Sequence, residues 1–152
     1  MEMKELIEGA IKNERKNQKI YEALMSLADN PVFMERLGFI MAEEEWQEEM
    51  LQHLCKSRFG EECKVEVEVP AFEGTLDEMI QKALDEELSS REMYIALYDA
   101  TDEKDTELRK LFYYFVRMEL THYQILEAEL EVMEMFEEGK YWSEIMEKEV
   151  KE

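Results

Sequence analysis

The chain has 152 residues, with 39 acidic against 18 basic, a formal net charge of −21. That length suits one domain with a core of its own. That charge excludes a general nucleic-acid binder, which needs a basic footprint to displace counterions, and it disfavours an anionic membrane surface. Five glycines and two prolines are too few for a loop-rich β protein, and the abundant Glu, Lys, Leu and Met are good helix formers. The segment Met1 to Glu5 lacks the apolar core of a signal peptide, and no apolar run approaches a membrane span. The expected location is the cytoplasm. Cys55 and Cys63 form no C-x-x-C pair, which argues against a zinc ribbon or a rubredoxin-type iron site. Two ordinary thiols are expected, with a disulfide between them as the alternative.

Hydrophobic periodicity and breakers predict four long helices. The first runs from Met3 to Ala28 and ends at Asp29-Asn30-Pro31. The second runs from Val32 to Phe59 and stops at Gly60. Residues 64–70 then alternate with a period of two, the pattern of extended chain. Thr75 with Glu78 reads as a capping box opening a third helix that runs to Ala100. A turn around residues 101–105 leads to a fourth helix, Thr106 to Glu137. After Gly139, Trp142, Ile145 and Met146 fit a short amphipathic tail helix from Tyr141 to Val150.

Connection lengths carry the topology. The first and third connections are short, so each makes an antiparallel hairpin. The middle one spans about 15 residues and reaches roughly 45–50 Å when extended, more than the roughly 40 Å of a helix of its neighbours' length. It can return the chain to the other end of the bundle. The expectation is therefore one all-α domain over residues 1–152, a ferritin-like antiparallel four-helix bundle with one long crossover between helices two and three.

The two hairpins repeat each other. A shift of 73 pairs Ala10 with Ala83, Glu14 with Glu87, Tyr21 with Tyr94 and Leu24 with Leu97. A shift of 75 pairs Leu37 with Phe112, Ile40 with Phe115, Glu44 with Glu119 and Leu51 with Leu126. Such a repeat implies a pseudo-twofold axis.

Each residue advances about 100° around a helix, and each helix then has an acid in its apolar stripe. Glu14 interrupts Met3, Ile7, Ala10, Tyr21 and Met25. Glu44 interrupts Phe33, Leu37, Ile40, Leu51 and Cys55. Glu87 interrupts Leu76, Ile80, Ala83, Tyr94 and Tyr98. Glu119 interrupts Leu108, Phe112, Phe115, Leu126 and Leu130, with His122 about 60° away on the same face. Any one of these acids alone would more simply be exposed by a tilted helix. Four near the midpoints of four helices should meet at one level, where they repel one another and resist desolvation. Bound divalent cations resolve that conflict. His53 points away from the seam and reads as a surface or subunit contact. Trp46, Met50, Tyr113 and Tyr114 fall off the stripes, an outward apolar surface that suggests a homodimer.

These residues resemble the rubrerythrin-like branch of the ferritin-like di-iron family. The resemblance rests on E-x6-Y in helix one (Glu14, Tyr21) and again in helix three (Glu87, Tyr94), and on E-x-x-H in helix four (Glu119, His122). It covers nearly the whole chain. It implies two iron ions held by Glu14, Glu44, Glu87, Glu119 and His122, reacting with peroxide or oxygen or oxidising ferrous iron. Tyr21 and Tyr94 would donate hydrogen bonds to ligands. Helix two departs from the pattern: in Glu43-Glu44-Glu45-Trp46-Gln47-Glu48, either Glu44 is the ligand and Gln47 stands in the histidine position, or Glu45 is, and Glu48 does. The register favours Glu44, with Glu48 one turn below as a further carboxylate. One metal position then lacks a nitrogen and becomes weaker or harder, so manganese or a mixed pair enters consideration. The resemblance also implies a separate electron donor, since no rubredoxin domain is attached. The competing readings are a ferritin-like ferroxidase or storage protein, and a helical bundle whose site no longer works.

Overall fold

The structure is a computed structural model that describes residues 2–68 and 73–138. It contains four helices: α1 Met3–Leu27, α2 Pro31–Phe59, α3 Leu76–Ala100 and α4 Thr106–Glu138. No strand occurs among the described residues, and no helix among them is long and apolar enough to cross a membrane. The expected tail helix from Tyr141 to Val150 lies outside the described residues.

The helix ends follow local chemistry. Asn30 caps α2, its side-chain oxygen accepting from the Val32 and Phe33 amides at 2.9 and 3.3 Å, and Pro31 supplies the preset φ of a first helical residue. Gly60 closes α2 at φ 83, and its N–H bonds the Lys56 carbonyl. The left-handed conformation there favours glycine. Asp105 accepts from the Leu108 amide at the start of α4. The capping box expected at α3 does not form. The Thr75 hydroxyl donates instead to the Asp77 carboxylate and, at 2.9 Å, to the Glu78 carboxylate. Two acids within reach of one hydroxyl make it a donor, so it does not accept from the helix amides.

Helix directions follow from which residues meet. Arg15 meets Glu48, and Met25 lies against Gly38, so α1 and α2 are antiparallel. Tyr94 meets Glu14 and Tyr21 meets Glu87, so α1 and α3 are antiparallel too. The α2 and α4 helices oppose each other through Glu43 with His122 and Gln47 with Glu119. It follows that α2 and α3, although consecutive, run the same way. The described start of their connection lies on α1: the Val65 carbonyl accepts from Arg15 at 2.8 Å. Glu66 and Val67 face Lys12 and Lys16 across a groove.

The core is split. One apolar cluster gathers Ile7, Ile11, Leu51, Leu97, Phe112 and Phe115. A second gathers Ile20, Leu24, Phe33, Leu37, Ile80 and Leu126. Along each helix a polar layer lies between them. Of the residues expected to face outward, Trp46, Tyr113 and Tyr114 are exposed. Met50 is not; it packs partly buried against the first cluster.

The expectation of two free thiols is overturned. Cys55 and Cys63 form a disulfide. The left-handed turn at Gly60 folds the chain back over the last turns of α2. Gln52 fastens it there, accepting from the Cys63 amide at 2.9 Å and donating to its carbonyl at 2.8 Å. Both cysteines are buried. Closing so short a loop should contribute about 2–3 kcal/mol. Cys63→Ser is therefore expected to lower the melting temperature by roughly 5–10 °C, and thiol labelling of the native wild-type protein should find no free cysteine.

Candidate metal centre

Each stripe-breaking acid is buried. Glu14, Glu44, Glu87 and Glu119 are at most 1 % exposed, as is His122. Glu44 of α2, Glu87 of α3 and Glu119 and His122 of α4 each offer one ligating atom, and these atoms lie within 4.8 Å of one another. His122 Nδ1 faces Glu87 at 3.5 Å, Glu119 at 3.9 Å and Glu44 at 4.0 Å. Glu14 of α1 is buried in the same layer but outside that group of four. Of the two registers, the structure brings Glu44 to the layer and leaves Glu45 exposed. Exposed His53 stands apart from the layer.

Glu48 lies outside the group of four, though its charge reaches Glu14. Its carboxylate pairs with Arg15 at 2.5 Å, and Arg15 also holds the Val65 carbonyl. Helix one thus supplies a guanidinium that claims Glu48 for the bundle's flank.

The two tyrosines reach across the α1/α3 interface reciprocally. Tyr94 donates to Glu14 at 2.6 Å and Tyr21 donates to Glu87. Each hydroxyl satisfies one oxygen and orients the other. Between them lies a polar pair that sequence reasoning missed: Asn17 donates to Ser90 at 2.9 Å. The same shift of 73 relates the two residues, so the repeat carried that signal. Two further contacts carried none. Glu43 Oε1 lies 3.3 Å from His122 Nε2, and the Gln47 amide donates to Glu119 at 2.8 Å.

Several buried atoms are left with no hydrogen-bond partner: Glu14 Oε2, both Glu44 oxygens, Glu87 Oε2, Glu119 Oε2 and His122 Nδ1. They come from one layer and have the chemistry of a metal-ligand set, carboxylate oxygens with one imidazole nitrogen. The residues therefore fit a metal.

Protons are the other way to settle such a layer. Burial pushes Glu14 up to about 8, with the Glu87 charge adding and the Tyr94 hydrogen bond opposing. Burial, then the Glu87 charge, pushes Glu44 and Glu119 well up. Glu87 alone goes the other way: burial would raise it, but protons shared from Glu119 and His122 outweigh that and hold it below its usual range. Burial disfavours an imidazolium, yet Glu43 and Glu87 outweigh it and raise His122 to about 9. Without metal these shifts favour protons on Glu14, Glu44, Glu119 and His122 and a charged Glu87 among them.

Residues 5–130 match the rubrerythrin family. The chain belongs to the rubrerythrin family. That places it in the ferritin-like di-iron carboxylate superfamily. No curated protein matches its sequence. A solved structure titled as a hypothetical protein from Pyrococcus furiosus is similar at 25 % identity and a TM-score of 0.77, covering 90 % of this chain and 92 % of that one. The solved structure agrees with a helical bundle, and the family agrees with a buried Glu/His group that can bind metal.

The protonated layer fixes a sign for stability. The folded pKa of Glu14 is raised from 4.5 to about 8, so its contribution is complete below about 4.5 and is lost as pH rises through about 8. Glu44, Glu119 and His122 act in the same direction, while Glu87 opposes only toward acid. The metal-free protein should melt on the order of 10 °C lower at pH 9 than at pH 5. Glu14→Gln should flatten part of that slope, as followed by circular dichroism after chelation.

Proposed function

We propose that this rubrerythrin-family chain is a di-metal carboxylate oxidoreductase that holds two iron ions and reduces peroxide or oxygen. The observation that carries the reading is the convergence of Glu44, Glu87, Glu119 and His122 with unpartnered atoms, beside Glu14, between two apolar clusters. A pair of iron ions there would supply two electrons to one oxidant molecule.

The chain's own residues have separable tasks. Glu14, Glu44, Glu87 and Glu119 supply oxygens, and the apolar clusters on either side keep bulk water away. Tyr21 and Tyr94 hold one oxygen of Glu87 and of Glu14, so those carboxylates keep their aim when their charge changes. Glu43 holds the outer nitrogen of His122, which leaves Nδ1 directed inward. Electrons come from a separate donor. The net charge of −21 suits a donor with a basic contact surface and opposes an acidic one.

A second reading, iron oxidation or storage without catalytic peroxide reduction, is favoured by one observation: an amide, Gln47, occupies a position where the family pattern has a histidine. The two readings separate kinetically. Protein reconstituted anaerobically with ferrous iron should hold about two irons per chain and be reoxidised by peroxide faster than by oxygen. Turnover of excess ferrous ion with oxygen, and slow reaction with peroxide, would instead establish the iron-handling reading. Glu87→Ala should lower iron affinity by about 10-fold or more. Failure of the wild-type protein to take up iron at all would remove both.

A further inference from the structure

The internal repeat can be carried past the acids. The shift of 75 that superposes Glu44 on Glu119 also superposes Gln47 on His122 and Glu43 on Met118. The structure shows what each member does. On one side His122 Nδ1 faces Glu44, Glu87 and Glu119, and its Nε2 is held by Glu43. On the other side Gln47 turns its amide nitrogen to Glu119 and leaves its carbonyl oxygen buried without a partner. Where a histidine at 47 would need a carboxylate to orient it, the chain has Met118, which is 6 % exposed. Glu43 and Met118 line the same cavity between α2 and α4, with Phe39, Trp46 and Tyr114. The ligand and the group that would orient it are thus both absent from one half and both present in the other.

We infer that the two metal positions are unlike by construction. One is a nitrogen-containing position at Glu44, Glu87, Glu119 and His122 that binds tightly. The other is an all-oxygen position, served by Glu14 and the Gln47 carbonyl, that binds weakly and suits a harder cation. The inference rests on the di-metal reading above and specifies it.

The donor chemistry gives the reason. Glu14 Oε2, Gln47 Oε1 and Asn17 Oδ1 are unpartnered oxygens left outside the group of four, and of these Glu14 supplies a carboxylate and Gln47 stands at the repeat position of His122. A neutral amide oxygen is a poorer donor than an imidazole for later first-row ions, whereas manganese discriminates less. The Gln47 amide also spends its N–H on Glu119, so Gln47 tethers a carboxylate of the tight position while offering only an oxygen to the weak one. Removing the carboxylate behind a metal-bound histidine costs about 10–100-fold in affinity. A histidine placed at 47 alone would therefore be a partial ligand, since Met118 cannot hold its far nitrogen.

The test is an anaerobic calorimetric titration of the metal-free, full-length protein with cobalt(II), repeated with manganese(II). Two steps separated by about 10-fold or more are expected with cobalt, and closer together with manganese. His122→Gln should abolish the tight step and leave the weak one. Gln47→His with Met118→Glu should tighten the weak step by about 10–100-fold, and Gln47→His alone by less. Two equal steps in the wild type would overturn the inference while leaving the di-metal reading intact. A tight step that survives in His122→Gln would overturn the assignment of positions. No binding by the wild type would sink the di-metal reading itself. Should the double variant fail to fold, the wild-type step ratio and His122→Gln still decide.

Discussion

Desolvating a carboxylate disfavours its charged form, and this bundle desolvates Glu14, Glu44, Glu87 and Glu119 together with His122. Only two kinds of guest satisfy such a layer. Protons neutralise the acids one by one and leave Glu87 paired with an imidazolium. Cations satisfy the same oxygens while leaving the acids ionised. The layer therefore exchanges one for the other: metal uptake must release protons, and metal affinity must rise with pH in the range where chelated protein loses stability. A stable apolar fold would place apolar side chains at these positions, as this one does one or two turns away on every helix.

The pseudo-twofold organises which groups share the load. Tyr21 with Glu87 and Tyr94 with Glu14 are copies of one contact, exchanged between α1 and α3. Asn17 and Ser90 lie between them as a matched pair. Symmetry holds at the α1/α3 interface and fails at the α2/α4 interface. There His122 with Glu43 has no counterpart, and Gln47 with Glu119 takes its place. The break on the face where the imidazole enters extends to the acids, since Glu87 joins the group of four while its repeat partner Glu14 does not.

Much of this was legible in the sequence, because the decisive pattern is a violation. An acid inside an apolar stripe is visible from period alone, and four at matching heights point to one layer. The choice of Glu44 over Glu45 followed from the same periodicity. Contacts that depend on where long side chains reach were not legible. Glu48 was placed near the layer by its spacing from Glu44, but Arg15 from the facing helix takes it. Glu43 sits off the stripe and becomes important only because α4 brings His122 against it. The disulfide is only an alternative in the sequence, because an eight-residue separation says nothing about the return of the chain at Gly60. At the start of α3, Thr75 and Glu78 have the spacing of a capping box, but Asp77 competes for the same hydroxyl.

The packing also determines how the layer communicates with solvent. Apolar clusters close it at both ends of the bundle, and the Tyr21, Tyr94 and Gln47 groups that touch it are themselves at most 1 % exposed. Among the hydrogen bonds described for the layer, two reach toward solvent: Glu43, whose side chain is 20 % exposed, bonds His122, and half-buried Asn13 bonds Ser90. Glu43 borders a cavity of about 280 Å³ between α2 and α4. A proton leaving His122 Nε2 meets Glu43 first, while His122 Nδ1 faces the carboxylates. The imidazole thus connects the buried oxygens to the α2/α4 flank through Glu43. The α2/α4 flank combines that connection with the broken symmetry, so the face that admits the imidazole is also the face that lets the layer change its charge.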